Sequence, residues 1–168
     1  MPDTLTGFNA RPPAEARAAL LACCASPAFA GKVAALRPYD DLDRLLDTAG
    51  AAVRELDWEE VLEALRAHPR IGERAGGSDR EASWSRQEQS GVTDELRAAL
   101  AEGNRAYEER FGHVYLICAT GLSGERMLAR LRERLGNDER REREVVRAEL
   151  AAIARLRLTK LLKEEEGA

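Results

Sequence analysis

Apolar side chains recur at spacings of three and four along most of this chain, and that spacing restricts its fold more than any other feature. Residues three and four apart share one face of an α-helix, whereas a half-buried strand alternates with a period of two. Alanine, leucine, arginine and glutamate, all good helix formers, dominate the sequence. The pattern predicts an all-α protein, a single compact domain of eight to nine helices over residues 1–168 with a frayed tail at 164–168.

Prolines and small polar residues mark where the helices are expected to begin. The first helix is predicted to open at Pro12-Pro13 and the second at Ser26-Pro27, because proline suits a first turn. Thr93 and Ser123 are the predicted caps of later helices. The continuous apolar run 114–119 fits either a buried strand or a buried helix, and a helix is the simpler expectation because no second strand is available to pair with it.

Charge and cysteine content exclude several classes of protein. The 26 basic and 30 acidic side chains are interleaved and leave a net charge of −4, so the chain has no basic surface for nucleic acid. No apolar run is long enough to span a membrane and the start has no signal pattern, which favours a cytoplasmic protein. Three cysteines make no disulfide framework, and the absence of metal-ligand spacing predicts that no metal is bound.

His68 stands where one helix must stop, because Pro69 disfavours helical geometry in the residue before it. Its imidazole titrates near neutrality, and a helix C-terminus favours the protonated form, which suits a general acid. The glycine-rich stretch 71–83 that follows predicts a loop of the length often found at functional sites. A surface histidine is the plainer alternative, and His113, after Gly112, is expected to be such a polar surface or cap residue.

Two further features invite a functional interpretation. Ser85 and Glu88 have capping-box spacing, which indicates either a plain helix start or a helix N-terminus that binds a polar ligand. Arg157 lies in the apolar stripe of the last helix, where a buried guanidinium needs an anionic partner. That partner can be an internal carboxylate or a bound ligand, and the sequence leaves both open.

The motif His68-Pro69-Arg70-Ile71-Gly72, followed by Ser85-x-x-Glu88-Gln89-x-Gly91, resembles the OHCU decarboxylase family. OHCU is 2-oxo-4-hydroxy-4-carboxy-5-ureidoimidazoline, and this family performs the last step from urate to allantoin. The resemblance covers nearly the whole chain. Its downstream part comprises Asn104, Tyr107, Phe111-Gly112, the stretch 117–121, Arg134, Asn137, Ile153 and the stretch 156–158.

The resemblance implies an all-α enzyme that decarboxylates OHCU to (S)-allantoin without a cofactor. By position, His68 and Glu88 would be the catalytic residues. Some members of the family carry arginine where this chain has Thr120, so substrate binding would lean more on Arg157 or on another arginine. The implied substrate contacts are Pro69, Ser85, Gln89, Ile117, Thr120, Gly121 and Arg157.

Two other functions compete with this interpretation. One is a helical interaction module without chemistry, in which His68, Glu88 and Arg157 form only a polar cluster. The other keeps the pocket but hydrolyses a related ureide, a reaction that often relies on a metal. A small-molecule substrate is the expected partner, and since amphipathic helices can bury their stripes within or between chains, a homodimer stays open beside a monomer.

Overall fold

The computed structural model describes residues 4–71, 84, 87 and 93–166, and all regular secondary structure within these residues is helical. The predicted all-α fold is confirmed, and the eight helices bounded in these residues agree with the predicted number. The helices are α1 Thr4–Ala10, α2 Pro13–Cys23, α3 Pro27–Ala35, α4 Leu42–Arg54, α5 Trp58–Leu65, α6 Asp94–Phe111, α7 Gly124–Arg134 and α8 Glu139–Glu166.

Side chains at the helix starts largely follow the predicted pattern. Ser26 Oγ accepts a hydrogen bond from the Phe29 N–H at 3.3 Å, and Ser123 Oγ accepts one from the Arg126 N–H at 3.1 Å. Such bonds satisfy N–H groups that the first turn of a helix leaves without a partner. Thr93 precedes α6 as predicted, but its side chain makes no capping hydrogen bond.

A short helix, α1, precedes the first helix that the sequence predicts. It has only seven residues and includes a glycine and an asparagine, so helix propensity does not predict it. Tertiary contacts stabilise it instead. Phe8 is fully buried, and Arg37 Nη1 donates to the carbonyl oxygens of Phe8 and Arg11 at 2.9 Å each. A helix does open at Pro12-Pro13 as expected, but it is the second helix of the chain and not the first.

The apolar run 114–119 is neither helix nor strand, so the predicted buried helix is wrong. Long side chains from later helices meet its backbone groups. Arg134 Nη1 donates to the Leu116 carbonyl at 2.6 Å, and the Cys118 N–H donates to Glu149 Oε2 at 2.9 Å. Buried backbone groups need hydrogen-bond partners, and here side chains supply bonds that a helix would have formed internally.

The chain divides into two compact units. Unit 1 comprises Met1–Ala64 and Leu150–Ala168, and unit 2 comprises Leu65–Glu149. The single domain over residues 1–168 stays a prediction. Helix α8 continues to Glu166, and residues 167–168 lie outside the described part of the chain, so the frayed tail also stays a prediction.

Within unit 2, α6 and α7 approach each other closely where Gly103 carries no side chain. A Cβ atom at Gly103 would lie 2.9 Å from Leu131 Cδ2 and 3.1 Å from Cδ1, and Leu131 is fully buried. The two helices could not keep this spacing around a larger residue at 103 without a shift of Leu131. The buried cluster around them contains Ile71, Leu100, Tyr107, Tyr115, Ile117, Ala119, Met127, Leu128 and Leu131.

Candidate active site

His68 lies just past the end of α5, as the following proline predicts. The helix ends at Leu65, and the His68 N–H donates to the Leu65 carbonyl at 3.0 Å, so the chain turns tightly out of the helix. Pro69 continues in non-helical backbone, and both residues are half-buried. The imidazole is therefore placed at the boundary of the protein interior, where a proton-handling group can meet a bound ligand.

Helix α6 holds the segment that follows His68. Asn104 Nδ2 donates to the Ile71 carbonyl at 2.8 Å. One turn further along α6, Glu108 accepts two hydrogen bonds from Arg70, at 2.8 and 3.0 Å. Residues four apart share a helix face, so both contacts come from the same side of α6.

A cleft of about 630 Å³ opens in unit 2 beside this segment. This volume lies in the usual range for pockets that bind small molecules. Its wall combines charged side chains with apolar surface. The lining includes Arg70, Ile71, Arg97, Asn104, Arg105 and Glu108.

Ser85, Glu88 and Gln89, three of the residues singled out from the sequence, lie outside the described residues. Their described neighbours Trp84 and Gln87 both have helical backbone, and Trp84 is fully buried whereas Gln87 is exposed. The helix predicted to open at Ser85 agrees with the backbone of Gln87, but Trp84 is already helical one residue before that predicted start. The roles of the three residues stay predictions.

The second predicted group of substrate contacts follows the non-helical run 114–119. Ile117 is buried, while Thr120 and Gly121 are exposed in a turn. Gly121 has a φ of +81°, a left-handed conformation that glycine adopts at little cost. Ile117 and Ile71 belong to the same buried cluster, so the segment after His68 and the run before Thr120 pack on one core within unit 2.

A buried ion pair holds the run 114–119 in place. Arg134 Nε and Nη2 donate to Glu142 Oε2 at 2.8 and 2.5 Å, and the Tyr107 hydroxyl donates to the same oxygen. Asn137 Nδ2 donates to Glu142 Oε1 at 3.0 Å, and Arg134 reaches Leu116 as described above. Glu142 is fully buried and Arg134 nearly so, so both charges are compensated inside the protein.

The pKa values in this network follow from its burial and contacts. Burial raises the pKa of Tyr107, and its hydrogen bond to Glu142 raises that pKa further. For Arg134, burial acts to lower the pKa, but the hydrogen bond and charge of Glu142 outweigh it and raise the pKa. Sequence reasoning did not identify Glu142, although its place four residues before Val146 continues the apolar stripe of α8 and is the signal that could have revealed it.

His113 directly follows Gly112 at the end of α6, so of the expected surface or cap positions it has the second, and it is half-buried beside aromatic side chains. Its Nδ1 lies 3.0 Å from the Val114 carbonyl oxygen, and its ring meets Tyr107 edge to face with centroids 5.5 Å apart. Burial lowers the pKa of His113 below its usual 6.5, and the contact with the Val114 carbonyl acts in the opposite direction without reversing the shift. The neutral imidazole is therefore the form that the fold prefers.

We expect acidification to destabilise the protein through His113. Since its pKa is lower in the folded than in the unfolded state, the unfolded state binds more protons once the pH falls through the usual 6.5. The stability that His113 contributes is present above that pH and is lost below it. His113→Gln should flatten the pH dependence of the urea midpoint between about pH 7 and about pH 5. An unchanged slope in the variant would contradict this assignment.

Arg157 is buried in unit 1, as its position in the apolar stripe of α8 predicts. Only 1% of the residue is exposed, and Nη1 donates to the Ala22 carbonyl at 3.3 Å. The stripe itself is buried at Val146, Leu150 and Ile153. Arg157 thus places a guanidinium group inside the protein, where charge-assisted hydrogen bonds are strong.

Neither a metal cluster nor a membrane span is found in the part of the chain that the structure describes. No three His, Cys, Asp or Glu side chains come together there as a metal site would require. The helices of the same part are too short or too polar to cross a bilayer. Cys23, Cys24 and Cys118 all belong to it, and none forms a disulfide.

Most of the chain is similar to known proteins. The OHCU decarboxylase family matches residues 9–159. The uric acid degradation bifunctional protein TTL of Arabidopsis thaliana is 30% identical over 145 residues, which are 83% of this chain and only 43% of that longer protein. The 2-oxo-4-hydroxy-4-carboxy-5-ureidoimidazoline decarboxylase of Amia calva is 32% identical over 141 residues, 81% of each chain. A crystal structure of OHCU decarboxylase in the presence of (S)-allantoin is 29% identical, with a TM-score of 0.70, and the match covers 85% of this chain and 96% of that one.

Proposed function

The chain belongs to the OHCU decarboxylase family, and we propose that it converts OHCU to (S)-allantoin and CO₂ in urate degradation. The observation that carries the proposal is the family match over residues 9–159, which includes His68 at its helix exit. The similarity to a decarboxylase solved in the presence of (S)-allantoin supports the same reaction. The enzyme is a carboxy-lyase.

The reaction requires little beyond binding, orientation and one proton. The bond between the ring carbon and the carboxylate breaks, CO₂ leaves, and the two bonding electrons stay on the ring carbon. The adjacent carbonyl or imine of the ring delocalises these electrons, so the chemistry itself does not call for a metal or pyridoxal. The electrons pass to the adjacent ureido-bearing carbon, where a proton adds to one face and sets the (S) configuration, while the hydroxyl on the carbon that lost CO₂ gives up its proton and becomes a carbonyl. The protein contributes by fixing the carboxylate across the ring π system and by delivering the proton from one side.

We assign the proton to His68, whose half-buried imidazole lies on a tightly turned and tethered segment. Glu88 either orients the imidazole or helps to ionise the substrate hydroxyl. Pro69, Ser85 and Gln89 are proposed to hold the substrate. The backbone of Ile117 and of the Thr120-Gly121 turn is proposed to do so as well, because irregular backbone offers N–H and C=O groups that a helix would use internally.

The experiment that tests the function follows freshly generated OHCU by circular dichroism. Urate is converted in place by uricase and hydroxyisourate hydrolase, with and without this protein. Rapid appearance of the (S)-allantoin signal with release of CO₂ is the expected result. Decay no faster than the spontaneous background, from a folded sample, would contradict the proposal and favour a non-catalytic module, whereas release of urea or ammonia would indicate a ureide hydrolase.

We expect Arg157 to bind an anionic or carbonyl group of the substrate. Arg157→Met should raise KM by about 10- to 100-fold, since one charge-assisted hydrogen bond contributes about 1.5–3 kcal/mol. Arg157→Lys keeps the charge but loses the planar arrangement of guanidinium donors, so its KM should lie between those of wild type and Arg157→Met. Arg155→Met is the matched control, because Arg155 lies two residues away on α8 in an exposed pair with Asp47. A folded Arg157→Met variant with unchanged KM would overturn the assignment.

We further propose a cytoplasmic protein, with a homodimer as the assembly to be tested. The absence of disulfides among its three cysteines suits a reducing compartment. Sedimentation velocity at several protein concentrations distinguishes a dimer from a monomer, and a single concentration-independent monomer boundary would exclude the dimer.

A further inference from the structure

Two asparagines of the fold donate to the backbone carbonyl of an irregular segment, but they use their amides differently. Asn9 Nδ2 donates to the Tyr39 carbonyl at 3.0 Å, and Asn9 Oδ1 accepts from the Tyr39 N–H at 2.9 Å. Asn104 Nδ2 donates to the Ile71 carbonyl at 2.8 Å, while Asn104 Oδ1 is buried and accepts no hydrogen bond within the described residues. Among the described residues, Asn9 thus satisfies both ends of its amide, whereas Asn104 satisfies one.

This difference indicates what Asn104 contributes. A buried carbonyl oxygen that accepts no hydrogen bond destabilises a fold, because its desolvation is not compensated. Asn9, by contrast, compensates both ends of its amide. Asn104 is 2% exposed, so its uncompensated carbonyl oxygen costs stability. We therefore interpret its hydrogen bond to the Ile71 carbonyl as one that fixes the position of that segment.

That segment is the one that begins with His68. Its backbone leaves α5 through the bond from the His68 N–H to Leu65, and three residues later Asn104 fixes the Ile71 carbonyl. The pair of Arg70 and Glu108 lies between these two points, with side chains 50% and 29% exposed. Exposed ion pairs contribute little, so the buried Asn104 bond is the stronger link between the segment and α6.

We propose that Asn104 is a positioning residue that sets the location of the His68 imidazole through the Ile71 carbonyl. The kinetic consequence rests on the proposed decarboxylase function, whereas the positional consequence does not. Misplacement of a reacting group by about 1 Å can lower a rate by about 100-fold, so one hydrogen bond three residues away is enough to matter.

The first test reads the position of His68 directly. The chain has two histidines, so ¹⁵N-histidine labelling gives two imidazole signal sets, and His113→Gln assigns them. In Asn104→Asp and Asn104→Ala, the His68 ring signals should shift and broaden. In the matched control Asn9→Ala, which removes the equivalent bond to Tyr39, they should stay in place. Unshifted His68 signals in the folded Asn104 variants would overturn the proposal, whether or not the wild type has activity.

The second test is kinetic. Asn104→Ala should lower kcat by about 10- to 100-fold and raise KM by a smaller factor, because the imidazole and Pro69 move together while the other proposed substrate contacts remain. Asn9→Ala should keep wild-type kcat. Asn104→Asp has the same shape, and its carboxyl can donate to Ile71 only when it is protonated. Its kcat relative to wild type at the same pH should therefore rise as the pH is lowered.

The outcomes separate this proposal from the decarboxylase function. An inactive wild type with shifted His68 signals in the variants supports positioning and contradicts the function. An active wild type with unchanged kcat in folded Asn104→Ala overturns positioning and leaves the function standing. If Asn104→Asp, Asn104→Ala and Asn104→Gln all fail to fold, Asn104 is a stability residue and the proposal is wrong.

Discussion

His68→Ala is expected to lower kcat for OHCU decarboxylation by about 10²- to 10⁴-fold, the range that a positioned acid or base contributes. After CO₂ leaves, the neighbouring ureido-bearing carbon must take up a proton on one face, and His68 is the group proposed to supply it from its half-buried place beyond α5. The rate is measured by circular dichroism of in situ generated OHCU. Product formed by the variant should also lose its excess of (S)-allantoin, because water protonates both faces.

The matched control for this prediction is His113→Gln, which removes the only other histidine. His113 packs edge to face on Tyr107 and is given no role in the reaction, so its variant should keep wild-type kcat near neutral pH. His68→Gln extends the test, since it retains polarity without a titrating ring. Near wild-type kcat in folded His68→Ala would contradict the proton assignment, even if the decarboxylase activity itself were present.

Glu142→Gln is expected to destabilise the protein by about 3–5 kcal/mol, the cost of leaving a buried charge without its partner. The substitution keeps the shape of the side chain but removes the charge that compensates Arg134, which is 6% exposed. It also weakens the acceptor of the Tyr107 hydroxyl. Urea unfolding followed by far-UV circular dichroism measures the change in the free energy of unfolding.

The control is Glu139→Gln, which breaks an exposed pair on the same helix. Arg143 and Glu139 lie 2.6 Å apart with side chains 40% and 70% exposed, so the loss should stay below about 1 kcal/mol. Replacing both buried partners, in Arg134→Met with Glu142→Leu, should recover part of the stability lost in Glu142→Gln, because no charge is then left buried. If Glu142→Gln and Glu139→Gln lowered the free energy of unfolding equally, the buried pair would contribute no more to stability than the exposed pair.

Proline geometry and helical spacing correctly predicted those structural features that depend on residues close together in the sequence. Proline at 69 placed His68 at a helix exit, and the three-four spacing of α8 placed Arg157 in a buried stripe. One feature that escaped prediction, the conformation of the run 114–119, depends on distant residues. The run 114–119 has the composition of a buried helix. Its backbone instead forms hydrogen bonds with Arg134 and Glu149, which lie far away in the sequence, and no local sequence pattern predicts those bonds.

The roles of the candidate site residues came from the motif resemblance more than from physical inference. Spacing alone left Ser85 and Glu88 as either an ordinary capping box or a ligand-binding helix start, and a lone histidine after a helix is usually structural. The roles assigned to Glu142 and Asn104, in contrast, follow from their physical contacts and not from the resemblance. Glu142 has a physical signature, a carboxylate in an apolar stripe, and the partly satisfied amide of Asn104 becomes visible only in three dimensions.

The absence of a side chain at 103 has a consequence for how related sequences can diverge. Because a methyl group there would collide with the buried Leu131, positions 103 and 131 are not independent. A lineage that acquires alanine at 103 should carry a smaller residue at 131, and a lineage that keeps leucine at 131 should be confined to glycine at 103. The pair should therefore appear as a covarying couple, with single substitutions rare and compensated double substitutions tolerated.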